Sequence, residues 1–285
     1  MGFKSEANVS QPIRFASNGI EPPPQKQSTS LEDIILTSMP PHDLAYQVVR
    51  YARKNNVPVL VDVRDPWPDI FLENLPTVWK KIAKNFLCND FYMVEKTMQN
   101  ANSLIAVTIN FMNWALRYSG RQMNSNNKVL SLGYKKLKTI NSTQINANFF
   151  EIERKIKDKF IILFVGTFSK SYHNPIVLIE VAEKMKEYKN IHFIIAGDGE
   201  LFNEIKLASE KKLNITLTGW LNQEEIEFWL KISKIGICPA STSVNLPTNK
   251  AYAYLSAGLP IISAFEGELK EIIEKYQIGF YYPPN

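Results

Sequence analysis

Residues 62–69, DVRDPWPD, set charged and aromatic side chains at the end of an apolar run. Proline lacks the N–H that a sheet ladder needs, so two prolines cannot lie within a central strand, and VPVLVDV must stop near Val63. Arg64, Asp65 and Trp67 are thereby delivered to a strand's carboxyl edge, where open α/β sheets hold ligands. A carboxylate beside a guanidinium can position a polar substrate there; the alternative is a structural Arg–Asp pair with Trp67 as a core anchor. TSMPPHD, residues 37–43, is a weaker case, with His42 read as a helix-start residue rather than a base.

The second half of the chain has further loops of unusual composition at strand ends. FVGTFSKSYHN puts Gly166, Thr167 and Lys170 just after a strand; small residues admit a ligand close to the backbone, and Lys170 either neutralises a phosphate or is a solvated loop lysine. AGDGEL places Gly197 and Asp198 at another strand end, as a glycine turn with a helix N-cap acid; it lacks the full dinucleotide fingerprint. In TGWLNQEEI, Trp220 and Leu221 lie against a nucleobase or pack beneath one, ahead of a helix capped by Asn222 with Glu225 in capping-box position. LPTNKAYAYLSAGLPII, residues 246–262, reads as a loop, a helix, the break Gly258 and a buried strand. Its helix start, at Thr248, Asn249 and Lys250, can hold a phosphate on free N–H groups and the helix dipole, yet the helix contains no carboxylate.

These loops need elements to hold them. Residues 1–31 are polar, proline-punctuated and without helix or strand period, so a flexible tail is expected. From Asp33 apolar runs alternate with amphipathic stretches: DIILTS, the helix PHDLAYQVVRYARKNN, VPVLVDV, a helical region near 76–101, SLIAVT, the helix INFMNWALRYSG and KVLSL. A partial Rossmann-like domain is expected over 32–140, with about four strands. Residues 141–158, poor in strand period and rich in Asn and Lys, are expected to be a linker. Residues 159–285 then read as six strands and five helices in strict alternation, a second Rossmann-like domain. Between two such domains a cleft is the natural ligand site.

Composition narrows the partners. Lys plus Arg number 33 against 28 for Asp plus Glu, a net charge of +5, far from the concentrated basicity of a nucleic-acid binder. Cys88 and Cys238 stand alone with no histidine at ligand spacing, so no metal site is expected; His192, inside NIHFIIAG, reads as a packed histidine. There is no stretch of about 18 apolar residues and no apolar centre near the N-terminus, so a cytoplasmic protein is expected. Lys80, Lys81 and Lys84 alternate with Trp79, Ile82 and Phe86, a basic amphipathic stretch suited either to an anionic membrane face or to packing on its apolar side.

The order of DIILTSMPP, VPVLVDVRDPWPD, FVGTFSKSY, FIIAGDGEL, TGWLNQEEIEFWL and LPTNKAYAYLSAGLPII resembles the family 4 retaining glycosyltransferases over roughly residues 30–282, closest to the branch that builds bacterial surface polysaccharides. The resemblance implies an α/β fold of two facing Rossmann-like domains, called GT-B, with the first domain incomplete. It implies a nucleotide-sugar donor, commonly a UDP-sugar, on the second domain and a lipid-linked or polysaccharide acceptor on the first, with no metal and no further cofactor. By position, Gly166, Thr167 and Lys170 then lie near the diphosphate, with Gly197 and Asp198 at the neighbouring turn. Trp220 and Leu221 lie near the base, Thr248, Asn249 and Lys250 offer backbone N–H groups, and Asp65 with Arg64 stands near the reacting sugar. A sugar such as an N-acetylated amino sugar would pass into O-antigen, capsule or lipopolysaccharide, with peripheral contact at the inner face of the cytoplasmic membrane.

Two departures qualify the resemblance. The family's two glutamates, eight positions apart, read here as Asn245 and Ala253, so weaker or differently arranged nucleotide binding is expected. The family also starts with a strand and glycine-rich loop and ends with a returning helix, so the resemblance implies truncation at the N-terminus and at the C-terminus, after GFYYPPN. The alternatives are an inactive or truncated homologue that binds nucleotide without catalysis, and a nucleotide-sugar 2-epimerase, whose acidic cleft residues have no counterpart here.

Overall fold

The computed structural model describes residues 34–72, 75–137, 142–170, 174–240 and 248–284. The tail expected over 1–31 lies outside them, as do His173, Asn245 and Pro247. The chain divides after Ser131 into two units.

The first unit runs β1 (Ile35–Met39), α1 (His42–Lys54), β2 (Val59–Val63), a 3-10 turn (Asp69–Leu72), α2 (Thr77–Phe86), α3 (Cys88–Asn100), β3 (Ser103–Ala106), α4 (Ile109–Ser119) and β4 (Lys128–Val129). Its sheet has the order β1-β2-β3-β4 with every pair parallel. α1 buries Ala45, Val48, Val49 and Ala52, the spacing of one helical face. Two expectations change here. The helical region near 76–101 is two helices broken at Leu87: α3 buries Phe91, Val94, Thr97 and Met98, while no residue of α2 is buried. The apolar side of α2 is out of phase with that of α3, so one straight helix could not present both to the same core. KVLSL contributes only Lys128 and Val129 to the sheet, because its partner β3 ends at Ala106.

The second unit opens with a 3-10 turn (Ser142–Gln144) and α5 (Ala147–Ile156), then alternates: β5 (Phe160–Val165), α6 (Ile176–Lys184), β6 (Ile191–Ala196), α7 (Phe202–Ser209), β7 (Ile215–Gly219), α8 (Gln223–Ile232), β8 (Ile235–Cys238), α9 (Asn249–Ser256), β9 (Ile261–Ser263), α10 (Glu268–Tyr276) and β10 (Gly279–Tyr281). The parallel sheet has the order β10-β9-β8-β5-β6-β7. Its central strands bury both faces, as the unbroken runs Ile161–Phe164 and His192–Ala196 require. Separate apolar clusters form around Trp229 and Tyr254 and around Phe164 and Phe193.

The stretch expected as a linker, 141–158, is corrected by this packing, and the boundary moves from 140 to 131. Asn146 caps α5 by accepting from the Asn148 N–H. Phe149 and Ile156 are buried in the second unit's core, and the Phe149 ring lies 5.3 Å from that of Trp229. The Asn146 N–H donates to the Glu225 carboxylate at 3.2 Å. The polar composition that suggested a linker belongs to the outer side of a short amphipathic helix.

Candidate functional site

The second sheet changes direction once. From β5 the chain adds β6 and β7 on one side, then crosses to add β8, β9 and β10 on the other. At such a switch point the connections leave opposite faces and a crevice opens beyond the strand ends. Only Ile162–Ile235 and Leu163–Gly236 are registered between β5 and β8, so the seam parts past Leu163. Tyr254 of α9 fills the parting. Its hydroxyl accepts from the Val165 N–H at 3.0 Å and donates to the Ile237 carbonyl at 3.4 Å, satisfying backbone groups that the ladder no longer pairs. The ring packs on Gly236, where an added Cβ would run into it.

Lys250 lies one helical turn before Tyr254 on the same side of α9. Its side chain turns inward: the residue is 9% exposed, and Nζ has no hydrogen-bond partner among the described residues and stands 4.4 Å from the Phe164 ring centroid. A Cβ added to Gly166 would be 2.5 Å from that Nζ, so glycine is what makes room for the amine. Burial lowers the Lys250 amine to about 8, with the Cys238 thiol acting weakly the other way. Burial pushes that thiol up to about 12. Sequence reasoning took Lys250 as a backbone donor and missed both its side chain and Tyr254. The available signal was their spacing of four in a helix of otherwise small residues, opposite the glycine of β8. Thr248 occupies the N-cap without a side-chain cap bond, and Asn249 opens the helix exposed.

The Gly166 turn borders the amine, and the Gly197 turn packs against that of Gly166. Gly197 has φ 141°, its N–H donates to the Gly219 carbonyl at 2.8 Å, and a Cβ there would strike the Gly166 carbonyl. Backbone bonds from Phe168 N–H to the Asp198 carbonyl (2.9 Å) and from Leu201 N–H to the Phe168 carbonyl (3.3 Å) tie the β5 and β6 loops together. The N-cap expected of Asp198 is corrected: its carboxylate accepts from the adjacent Gly199 N–H at 2.7 Å, and Leu201 holds the cap position of α7. Gly199, at φ 147°, carries the chain away before the helix starts. Thr167 and Lys170 are exposed, and the Lys170 N–H donates to the Glu200 carboxylate at 2.6 Å. Trp220 and Leu221 separate: Trp220 is 73% exposed, whereas Leu221 is buried in the core. Asn222 and Glu225 form the expected capping box. His192 is buried, bonded to Thr216 at 2.9 Å and lowered to about 4 by burial.

In the first unit the charged loop after β2 sorts its own acids. Arg64 pairs with Asp62 at 2.8 Å rather than with Asp65, which corrects the structural pair considered for Arg64 and Asp65. Asp69 accepts from Trp114 Nε1 at 2.7 Å and from the Tyr118 hydroxyl at 2.6 Å. Asp65, half-buried, has no side-chain hydrogen bond among the described residues; burial raises its carboxyl and the Arg64 charge partly offsets this. Trp67 packs on Phe71 with ring centroids 4.7 Å apart, and His42, the first residue of α1, bonds Asp90 at 2.6 Å. Among the described residues no three metal-ligating side chains cluster, and no helix is long and apolar enough to cross a membrane.

Known proteins share this architecture. The chain superposes on the crystal structure of Anabaena Alr3699/HepE in complex with UDP with a TM-score of 0.66 and 14% identity, covering 89% of this chain and 65% of that one. A structure from E. coli, trehalose-6-phosphate bound with UDP-2-fluoro glucose, gives 0.61 at 13% identity over 90% and 63%. WaaG, a glycosyltransferase involved in lipopolysaccharide biosynthesis, gives 0.58 at 13% over 83% and 67%. The fold is therefore the α/β fold of GT-B glycosyltransferases. Residues 146–285 match the family described as Glycosyl transferases group 1. The spore coat protein SA of Bacillus subtilis (strain 168) is 27% identical over 137 residues, 45% of this chain and 36% of that protein, so the chain spans about a third of this curated relative.

Proposed function

We propose that the protein transfers a sugar from a nucleotide-sugar donor, a UDP-sugar, to a lipid-linked saccharide acceptor in the building of a bacterial surface glycan. The observation that carries this is the switch point of the second sheet, where Gly166, Gly197 and the start of α9 lie at the strand ends within a segment that matches the glycosyltransferase group 1 family. Backbone N–H groups at Asn249 and Lys250 and the dipole of α9 suit a diphosphate, and the exposed face of Trp220 suits a base. UDP or a UDP-sugar is bound in two of the structures that share the fold, which supports the donor class.

The reaction is taken as retaining. The bond from the anomeric carbon to the diphosphate breaks with its electron pair leaving on the phosphate oxygen. An acceptor hydroxyl oxygen bonds the same face of that carbon, and its proton passes to the departing phosphate. Asp65, with Arg64 beside it, positions the acceptor on the first unit. No metal is needed where a helix start and a lysine take up the developing charge. The protein works in the cytoplasm, with α2 as its contact to the membrane's inner face: Val78, Trp79, Ile82 and Phe86 are exposed, among Lys80, Lys81 and Lys84.

The test is incubation of the purified protein with a panel of UDP-sugars and lipid-linked acceptors, alongside calorimetry with UDP. Transfer of one sugar supports the reading; binding of UDP with no product from any donor sinks it. The second outcome would favour nucleotide binding without catalysis, a reading that Ala253 motivates, since it is buried in the core where the resembling family has a glutamate.

A further inference from the structure

The fold has no use for a charge at Lys250. The amine is nine-tenths buried and, among the described residues, makes no hydrogen bond and has no carboxylate acting on it. β8 presents the neutral Cys238 thiol, α9 the engaged hydroxyl of Tyr254, and β5 the Phe164 ring and Gly166. An ammonium held out of water without an opposite charge is costly, and the ring face offsets only part of that. Methionine would fill a similar space at no such cost. The amine lies at the α9 start beside the Gly166 turn, where the N–H groups of the first helical turn and the helix dipole also favour an anion.

We propose that the Lys250 side chain is the anion receptor of this crevice: its Nζ, between the Gly166 turn and the first turn of α9, pairs with the diphosphate of a nucleoside diphosphate and takes up a proton as it does so. This rests on the donor reading above and adds which group supplies the charge; the rival cation, Lys170, is exposed on the outer loop. An arriving diphosphate stabilises the charged amine and so raises its proton affinity. Burial lowers the amine to about 8 before an anion arrives, so affinity is expected to be full below that value and to be lost as pH rises past it.

The experiment is calorimetry of the full chain with UDP, GDP, ADP and uridine between about pH 7 and 9, a range above the last phosphate ionisation near 6. Two buffers of different ionisation enthalpy report proton uptake. UDP affinity is expected to fall about tenfold or more across the range, while uridine binding stays level. Lys250→Met is expected to lose about tenfold or more in UDP affinity near neutral pH, to lose the pH dependence, and to melt above wild type. Lys250→Arg, which cannot deprotonate, should keep binding without the pH dependence. Unchanged UDP binding by Lys250→Met, or wild-type binding without proton uptake, overturns the proposal and leaves the donor reading standing. Failure of wild type to bind any of the nucleoside diphosphates overturns both. If Lys250→Met does not fold, wild-type proton uptake and the Lys250→Arg profile decide.

Discussion

The two sheets are made from the same strand–helix–strand unit and differ in the order in which strands are laid down. In the first, β1-β2-β3-β4, each crossover goes the same way, and the ladders run on past the strand ends: Arg64 N–H still bonds the Met39 carbonyl at 2.8 Å, and Leu130 N–H the Ala106 carbonyl at 2.9 Å. No seam opens among these strands, so the residues proposed for the acceptor, Arg64 and Asp65, sit on the edge, in the loop after β2. In the second sheet the reversal between β5 and β8 parts the seam, and the gap takes in Tyr254 and Lys250. A change of strand order thus parts a seam, and the parting shelters a buried cation beside Gly166, which a continuous ladder has no means to do.

Substitutions can test whether the two units divide the work in this way. Gly197→Ala should have the largest effect, because φ 141° and the Gly166 carbonyl both exclude a side chain. Denaturant unfolding should show a loss of about 3 kcal/mol or more, with UDP binding abolished. Asp65→Asn should leave UDP affinity and the unfolding midpoint unchanged and lower turnover about 100-fold. A parallel loss of UDP binding would break the division between units. Burial already raises this carboxyl, so wild-type activity that needs the carboxylate should fall as acid pH protonates Asp65, at a higher pH than for an exposed aspartate.

Smaller effects sharpen the account of the seam. Tyr254→Phe leaves Val165 N–H without its partner and should cost about 1–3 kcal/mol in thermal unfolding. Trp220→Ala, at an exposed position, should weaken UDP by about 1 kcal/mol with no change in melting, whereas loss of stability would show that the ring supports the core. In the first unit, replacing Trp79 and Phe86 by serine should reduce sedimentation with anionic vesicles severalfold and leave folding intact, since neither side chain is buried.

Much of this architecture was legible in the chain. Unbroken apolar runs marked β5 and β6, and prolines closed β2 at Val63, because these signals are local. α5 was not legible: its two core residues, Phe149 and Ile156, are too sparse among polar neighbours to show a period until Trp229 is there to receive them. Asp198 looked like a helix cap because spacing alone does not reveal that Gly199 turns the backbone away.

The site divides along the same line. Residue types and strand ends named Gly166, Gly197, Lys250 and Asp65 as candidates, since glycine tolerance, charge and position after a strand are properties of the sequence. The partner of Arg64, the burial of Leu221 and the inward turn of Lys250 were decided by the tertiary structure. The physical reason is that strand order is a non-local property. Only when β8 crosses to lie beside β5 does a gap exist for Tyr254 to bridge and for the Lys250 amine to enter.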